Sequence, residues 1–182
     1  MCTPDHHTII DFWFTDEARA RWFNSSPEFD RQLTEQFLET WQAARRGELD
    51  WAATPTGALA LVIVLDQFPL NMFRGQAESF STEAMSRDIA RVAIDKGFHN
   101  ELAAQEKVFL FMPYMHSESL ADQDHVVTLF EAAGLDENAK WARHHRDIVK
   151  RFGRFPHRNA ILGRESSAEE LAWLESDEAF KG

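Results

Sequence analysis

Residues 153–164 read GRFPHRNAILGR: three arginines, a histidine and an asparagine set among two glycines and a proline. Arginine presents a rigid fork of donors that matches carboxylate or phosphate, and glycine lets backbone approach a ligand closely. The stretch therefore suits an anion pocket. It equally suits a packed polar connector, in which Arg154, Arg158 and Arg164 pair with Asp66 and Glu118 and tie non-sequential helices together, with Phe155 and Ile161 as apolar anchors. A buried arginine left alone costs about 3–5 kcal/mol, whereas an exposed pair contributes only about 0–1. A pocket built on these arginines should thus contain acids as well.

Two other stretches place polar groups where a helical pattern would not. LDQFPLNMFRG (65–75) sets Asp66, Gln67, Asn71 and Arg74 directly after the most apolar run of the chain. PYMHSESLADQ (113–123) sets His116, Ser117 and Glu118 at a helix junction. A histidine beside a carboxylate can move protons, so His116 with Glu118 or Asp66 is a candidate general acid–base pair, with Ser117 as a candidate nucleophile and His157 as a further candidate. His116, Glu118, His145 and Asp66 could instead ligate zinc, manganese or iron. His145 lies on the apolar face of its segment, which also suits a core histidine bonded to a carboxylate or carbonyl. No HExxH spacing, GxSxG elbow or glycine-rich phosphate loop fixes the chemistry, and no metal or cofactor is expected.

The elements that position these groups are helical. Ser26-Pro27-Glu28 is a helix start, with a capping hydroxyl, a proline in the first turn and an acid at the positive dipole end. Phe29, Leu33, Phe37, Trp41 and Ala44 then form one stripe that stops at Gly47. Residues 81–97 repeat this grammar, with Ser81 or Thr82 as cap, Met85, Ile89, Val92 and Ala93 as stripe and Gly97 as stop. Leu102–Met115 is expected as a buried helix kinked or ended by Pro113. Leu120, Val126, Val127 and Phe130 mark the next helix, closed by Gly134. Asp136 caps another, with Trp141, Ile148, Val149 and Phe152 inward. Ser166-Ser167-Ala168-Glu169 reads as a capping box for a short helix carrying Leu171, Trp173 and Leu174. The run LALVIVLDQF could be a buried strand by its Val/Ile content, but no other run alternates to pair with it. It is expected as a buried helix over 55–68, with Pro55 in its first turn and Pro69 ending it.

A chain of 182 residues with 44% hydrophobic and 12% aromatic content, including six tryptophans and fifteen phenylalanines, can build a large core. Its net charge of −11 argues against general nucleic-acid binding and against anionic membranes. The charge is uneven: residues 140–164 hold eight basic side chains against Asp147 alone, a net of +7, so the remainder carries −18. Such a segment calls for an internal acidic partner or an anionic ligand. The single cysteine, Cys2, excludes an internal disulfide framework and a multi-cysteine zinc site. The start has neither a basic n-region nor a long apolar h-region, and the apolar run Ala58–Leu65 is short for a bilayer, so a cytoplasmic protein is expected.

LDQFPLN, HSE, DFWF (11–14) and above all FGRFPHRNAILGR resemble the signature segments of domain-of-unknown-function family 924, over nearly the whole chain. The resemblance implies an all-α fold of stacked antiparallel helical hairpins, a tetratricopeptide-like superhelix, and no established activity. It adds Gln123 and Asn159 to the matched motif residues, beside Asp66, Gln67, Asn71, Arg74, His116, Ser117, Glu118, His145, Arg154, His157, Arg158 and Arg164. The family's usual arginine is Leu70 here. Two helix pairs, 82–116 and 118–152, with glycine stops 37 residues apart, are in keeping with stacked hairpins. The expectation is one helical domain over 1–182. It would act as a binding scaffold with a polar pocket for an anionic small molecule or acidic peptide. A hydrolase and a purely structural polar network are the alternatives. Oligomeric state is not legible.

Overall fold

Ser26 accepts a hydrogen bond from the Phe29 amide, Pro27 stands in the first turn, and the helix that follows buries Phe29, Leu33, Phe37, Trp41 and Ala44 along one stripe. The computed structural model describes residues 4–177 and 179; Cys2 lies outside them. In order, the helices are α1 (His6–Trp13), α2 (Asp16–Arg19), α3 (Pro27–Arg45), α4 (Pro55–Val62), a π-helical turn (Ile63–Gln67), α5 (Phe68–Met72), α6 (Glu83–Asp95), α7 (Ala104–Met115), α8 (Leu120–Ala132), α9 (Asp136–Phe152) and α10 (Ala168–Leu174). Short 3₁₀ turns occur at Ala77–Phe80, Phe98–Glu101 and Pro156–Arg158. No strand occurs among the described residues, and the fold is all-α. The chain packs as two compact units, one running up to Arg74 and from Glu78 to Pro113, the other comprising Gly75–Ala77 and the chain from Tyr114 onward. The division falls inside α7, where sequence offers no linker to mark it.

In the first unit the run from Pro55 to Met72 is the central rod. It is long and apolar enough to cross a membrane, but 72% of it is buried inside the protein, so its apolar character is accounted for by the core. The rod packs on α1 and α6 through α4 and on α3 through α5. An aromatic cluster fills the space around it: Phe68 lies 5.1 Å from Phe37, and Trp13 and Trp22 lie 5.6 and 4.6 Å from Phe109. Full burial of a ring such as Phe37, Phe68 or Phe109 is worth about 1.5–3 kcal/mol. Gly57 is required at the start of the rod, because a Cβ there would sit 2.0 Å from the Trp51 carbonyl oxygen.

Pro69 does not end this rod. The chain widens into the π turn, where the Phe68 amide donates to Ile63, five residues back, and helix continues to Met72. Proline at 69 lacks the N–H that would have bonded the Leu65 carbonyl. That carbonyl is instead taken by the buried Thr82 hydroxyl at 2.5 Å, and Thr82 Oγ1 itself accepts from Trp41 Nε1 at 3.3 Å. Thr82 is thus a bridge between elements, although it also occupies the N-cap position of α6, where it makes no capping bond. The buried face of α6 is Ser86, Ala90 and Ala93; Met85 and Val92 are exposed, because small residues are what the rod admits at close range. Likewise Pro113 lies inside α7, which runs two residues beyond it.

In the second unit α8 and α9 form an antiparallel hairpin, closed by Gly134 at φ +67°. The two helices pack closely; α8 buries Val126, Val127 and Phe130, and α9 buries Ala139, Ala142, His145, Ile148 and Val149. The alanines set the inward stripe, so Trp141 is turned out at 53% exposure, against the inward expectation, and Leu120 is exposed as well. The N-cap position of α9 is Leu135, one residue before Asp136. Ile148, Val149, Phe155 and Trp173 make a small core with Phe152 and Leu174. The capping box of α10 is Ser167 with Glu170, one residue later than the sequence reading, and Leu171 is exposed.

Candidate functional site

Glu118 and His145 join Arg154, His157, Arg158, Asn159 and Arg164 at the loop that follows α9. Gly153 stops that helix at φ +71°, a left-handed conformation that glycine adopts without strain. Phe155 then turns inward at 1% exposure and becomes the hub of the loop. His145 meets it edge-on at 5.7 Å, His157 lies 5.6 Å from it, and the Arg158 guanidinium sits 4.9 Å over its face.

Glu118 reaches this loop from the junction between α7 and α8. Arg164 Nη1 donates to its Oε2 at 2.7 Å and Nη2 to its Oε1 at 2.9 Å, while the Phe155 amide donates to Oε1 at 2.8 Å. Burial opposes the charge on Glu118, but the Arg164 and Phe155 bonds outweigh it and hold the carboxyl below its ordinary range. Arg164 also donates from Nε to Asn159 Oδ1 at 3.0 Å and from Nη2 to the Phe155 carbonyl at 3.2 Å. Asn159 donates onward to Ser166 Oγ at 3.0 Å. The expected Arg164–Glu118 pair is therefore present.

Arg154 finds a different acid. Its Nε and Nη2 donate to the two oxygens of Glu170 at 2.7 and 2.9 Å, and Nη2 also meets the Glu165 carbonyl at 2.8 Å. The Arg154 bonds, against burial and together with the Ser167 amide, pull the Glu170 carboxyl down to about 2. Glu170 escaped the sequence reading because the capping box was placed one residue early; its position at the third residue of α10 was the available signal.

His145 and His157 are neutral at physiological pH. Burial pushes His145 down to about 4, and His116, His144 and His157 add to the shift. Its Nδ1 lies 2.9 Å from the Trp141 carbonyl, which can only accept, so Nδ1 carries the hydrogen. Burial, then the Arg158 charge, also pushes His157 down to about 4, with Glu118 opposing. Ser117 donates its hydroxyl to Asp122 at 2.6 Å, and Gln123 donates from Nε2 to the Met115 and Ser117 carbonyls at 2.8 and 2.7 Å. The HSE junction is thus fixed from within α8. A carboxylate as tightly held as Glu118 is a weak base. Among the described residues no group of three or more His, Cys, Asp or Glu side chains is arranged to hold a metal ion.

Asp66, Gln67, Asn71 and Arg74 belong to the first unit. Gln67 Nε2 donates to Asp66 at 2.6 Å and approaches the Met112 sulfur at 3.3 Å, all buried. Asn71 and Arg74 converge on Asp30 of α3: Asn71 Nδ2 donates at 2.7 Å, Arg74 Nε at 2.8 Å and Arg74 Nη2 at 3.2 Å, with Ser25 Oγ also donating at 2.7 Å. Burial works against the Asp30 charge and these donors outweigh it, lowering its pKa. Asp30 was missed because an acid in the first turn of a helix is explained by the dipole alone.

Each unit carries a shallow cavity. One in the second unit, of about 340 Å³, is lined by Pro156, His157, Ala160, Ser166, Leu171 and Leu174. One in the first unit, of about 260 Å³, lies beside Phe14 and Arg19.

A family model described as a bacterial protein of unknown function (DUF924) matches residues 9–178. The solved structure of a protein of unknown function from Agrobacterium tumefaciens is similar at a TM-score of 0.89 and 39% identity, covering 93% of this chain and 96% of that one. No curated protein matches the chain.

Proposed function

This chain belongs to the DUF924 family of bacterial proteins, and we propose that it is a cytoplasmic binding protein whose ligand lies in the cavity beside the GRFPHRN loop. The ligand is a small anion with a short apolar body. The observation that carries this reading is His157, a neutral imidazole on the wall of a 340 Å³ cavity, in a loop pinned on both flanks by paired forks. Pinning removes the ordering cost that a flexible loop would impose on binding. The Arg158 charge acts on His157 more strongly than the opposing Glu118, so an anionic head is favoured there. Pro156, Leu171 and Leu174 offer apolar surface to the body of the ligand. The α8–α9 hairpin serves as the scaffold, in the manner of tetratricopeptide-like helical repeats.

Thermal shift with straight-chain carboxylates from acetate to octanoate, and with phosphate and short acidic peptides, tests this reading. A ligand that binds only the folded state raises Tm in a saturable way. The rise should grow with chain length and should vanish in Leu171→Glu, a change at an exposed position that leaves the fold intact. If none of these anions stabilises the protein beyond ionic-strength controls, the reading is wrong and the clasped loop is architectural.

A further inference from the structure

The first unit carries a second cleft that the proposed site does not use. Its volume is about 260 Å³, below the roughly 300–1,000 Å³ of drug-sized pockets. Ile10, Asp11, Phe14, Arg19, Gln105 and Glu106 line it, from α1, α2 and the start of α7. Phe14 gives it a fixed apolar wall, held edge-on to Trp22 at 5.5 Å and to Phe109 at 5.8 Å.

Among the described residues Arg19 is held in place without an acid. Its Nε donates to the Phe14 carbonyl at 2.9 Å, and its guanidinium carbon lies 5.9 Å from both the Phe14 and the Trp22 rings. The fork is thereby oriented by a carbonyl and two aromatic faces, and among the described residues its terminal nitrogens donate to no side chain. Asp11 likewise accepts no hydrogen bond among the described residues. Glu106 holds the Ala103 amide with one oxygen, at 2.7 Å.

One guanidinium and two carboxylates around a small apolar wall discriminate by charge. A simple anion would meet Arg19 but also two acids. A simple cation would meet the acids but also Arg19. A zwitterion can place its carboxylate on the fork and its ammonium on the acids at once. From this we infer that the cleft binds a free α-amino acid with an apolar side chain, the side chain lying on Phe14 and Ile10.

Isothermal titration with leucine, N-acetyl-leucine and leucine amide tests the inference. Leucine should bind saturably, and each blocked analogue should bind at least about tenfold more weakly, as loss of one charge-assisted contact implies. Asp11→Asn, at an exposed position, should weaken leucine binding by a similar factor with an unchanged melting curve. Arg19→Gln should do so too. Leu171→Glu should leave leucine binding as it was, which separates this cleft from the cavity at His157. Absence of leucine binding, equal binding of either blocked analogue, or unaltered affinity in Asp11→Asn would each overturn the inference.

Discussion

Arg164 grips Glu118 with both arms of its guanidinium, at 2.7 and 2.9 Å across 46 residues of chain, while the backbone of Phe155 bonds the same carboxylate. Both side chains are about three-quarters buried, at 24% and 27% exposure. Such a pair is costly to break on one side, since the remaining charge keeps its desolvation and loses its partner. Glu118→Gln is expected to lower unfolding free energy by about 1–3 kcal/mol, read from urea denaturation. Arg164→Met should cost a similar amount, and the double variant clearly less than the sum. Strict additivity would show that the pair does not hold the loop.

Stability should decline as pH falls below 7, before the carboxylates titrate. Both His145 and His157 have folded pKa values of about 4 against an ordinary 6.5. In the window between those values the unfolded chain binds protons that the folded chain refuses, so stability is present above about 6.5 and is lost as pH drops through the window. By pH 5 each histidine should account for a loss on the order of 2 kcal/mol. A series of melting curves from pH 7 to 5 checks this, and His145→Phe should flatten the slope by about half. A wild-type curve with no slope in that window would contradict the buried, neutral histidines.

Thr82 should matter far more than its place at the end of a surface helix suggests. Its hydroxyl serves the Leu65 carbonyl, which Pro69 deprives of a helical donor, and accepts from Trp41. Thr82→Val keeps the shape and strands two buried polar groups, for an expected loss of about 1–3 kcal/mol each. Thr82→Ser should retain most of the stability. Equal melting of the Val and Ser variants would remove the hydroxyl from the account.

Gly57→Ala should destabilise the first unit, although alanine is the better helix former by about 1 kcal/mol. The added Cβ would stand 2.0 Å from the Trp51 carbonyl oxygen and 2.9 Å from Thr54 Oγ1, so the Thr54 cap must move. Chemical denaturation would read the change, and a gain in stability would show that the turn at Trp51 yields freely.

The amino-acid sequence carries the helical class and most helix starts, because a cap such as Ser26 followed by Pro27 acts within one turn of its own position. It also determined that the GRFPHRN arginines need acids, since charge must be compensated wherever it is buried. Helix faces were legible where one large-residue stripe ran unbroken, as in α3. They were misread in α6 and α9, where Ala90 and Ala142 face inward and Met85 and Trp141 face out. Periodicity alone does not say whether a neighbour leaves room for a large side chain, so only packing decides such a face. The same limit hid the partners. That Arg164 takes Glu118 while Arg154 takes Glu170, and that Arg74 and Asn71 share Asp30, depends on which elements meet in space. The continuation of the central rod past Pro69 was likewise a tertiary matter, because the donor that replaces the missing amide comes from Thr82, 17 residues beyond the carbonyl it serves.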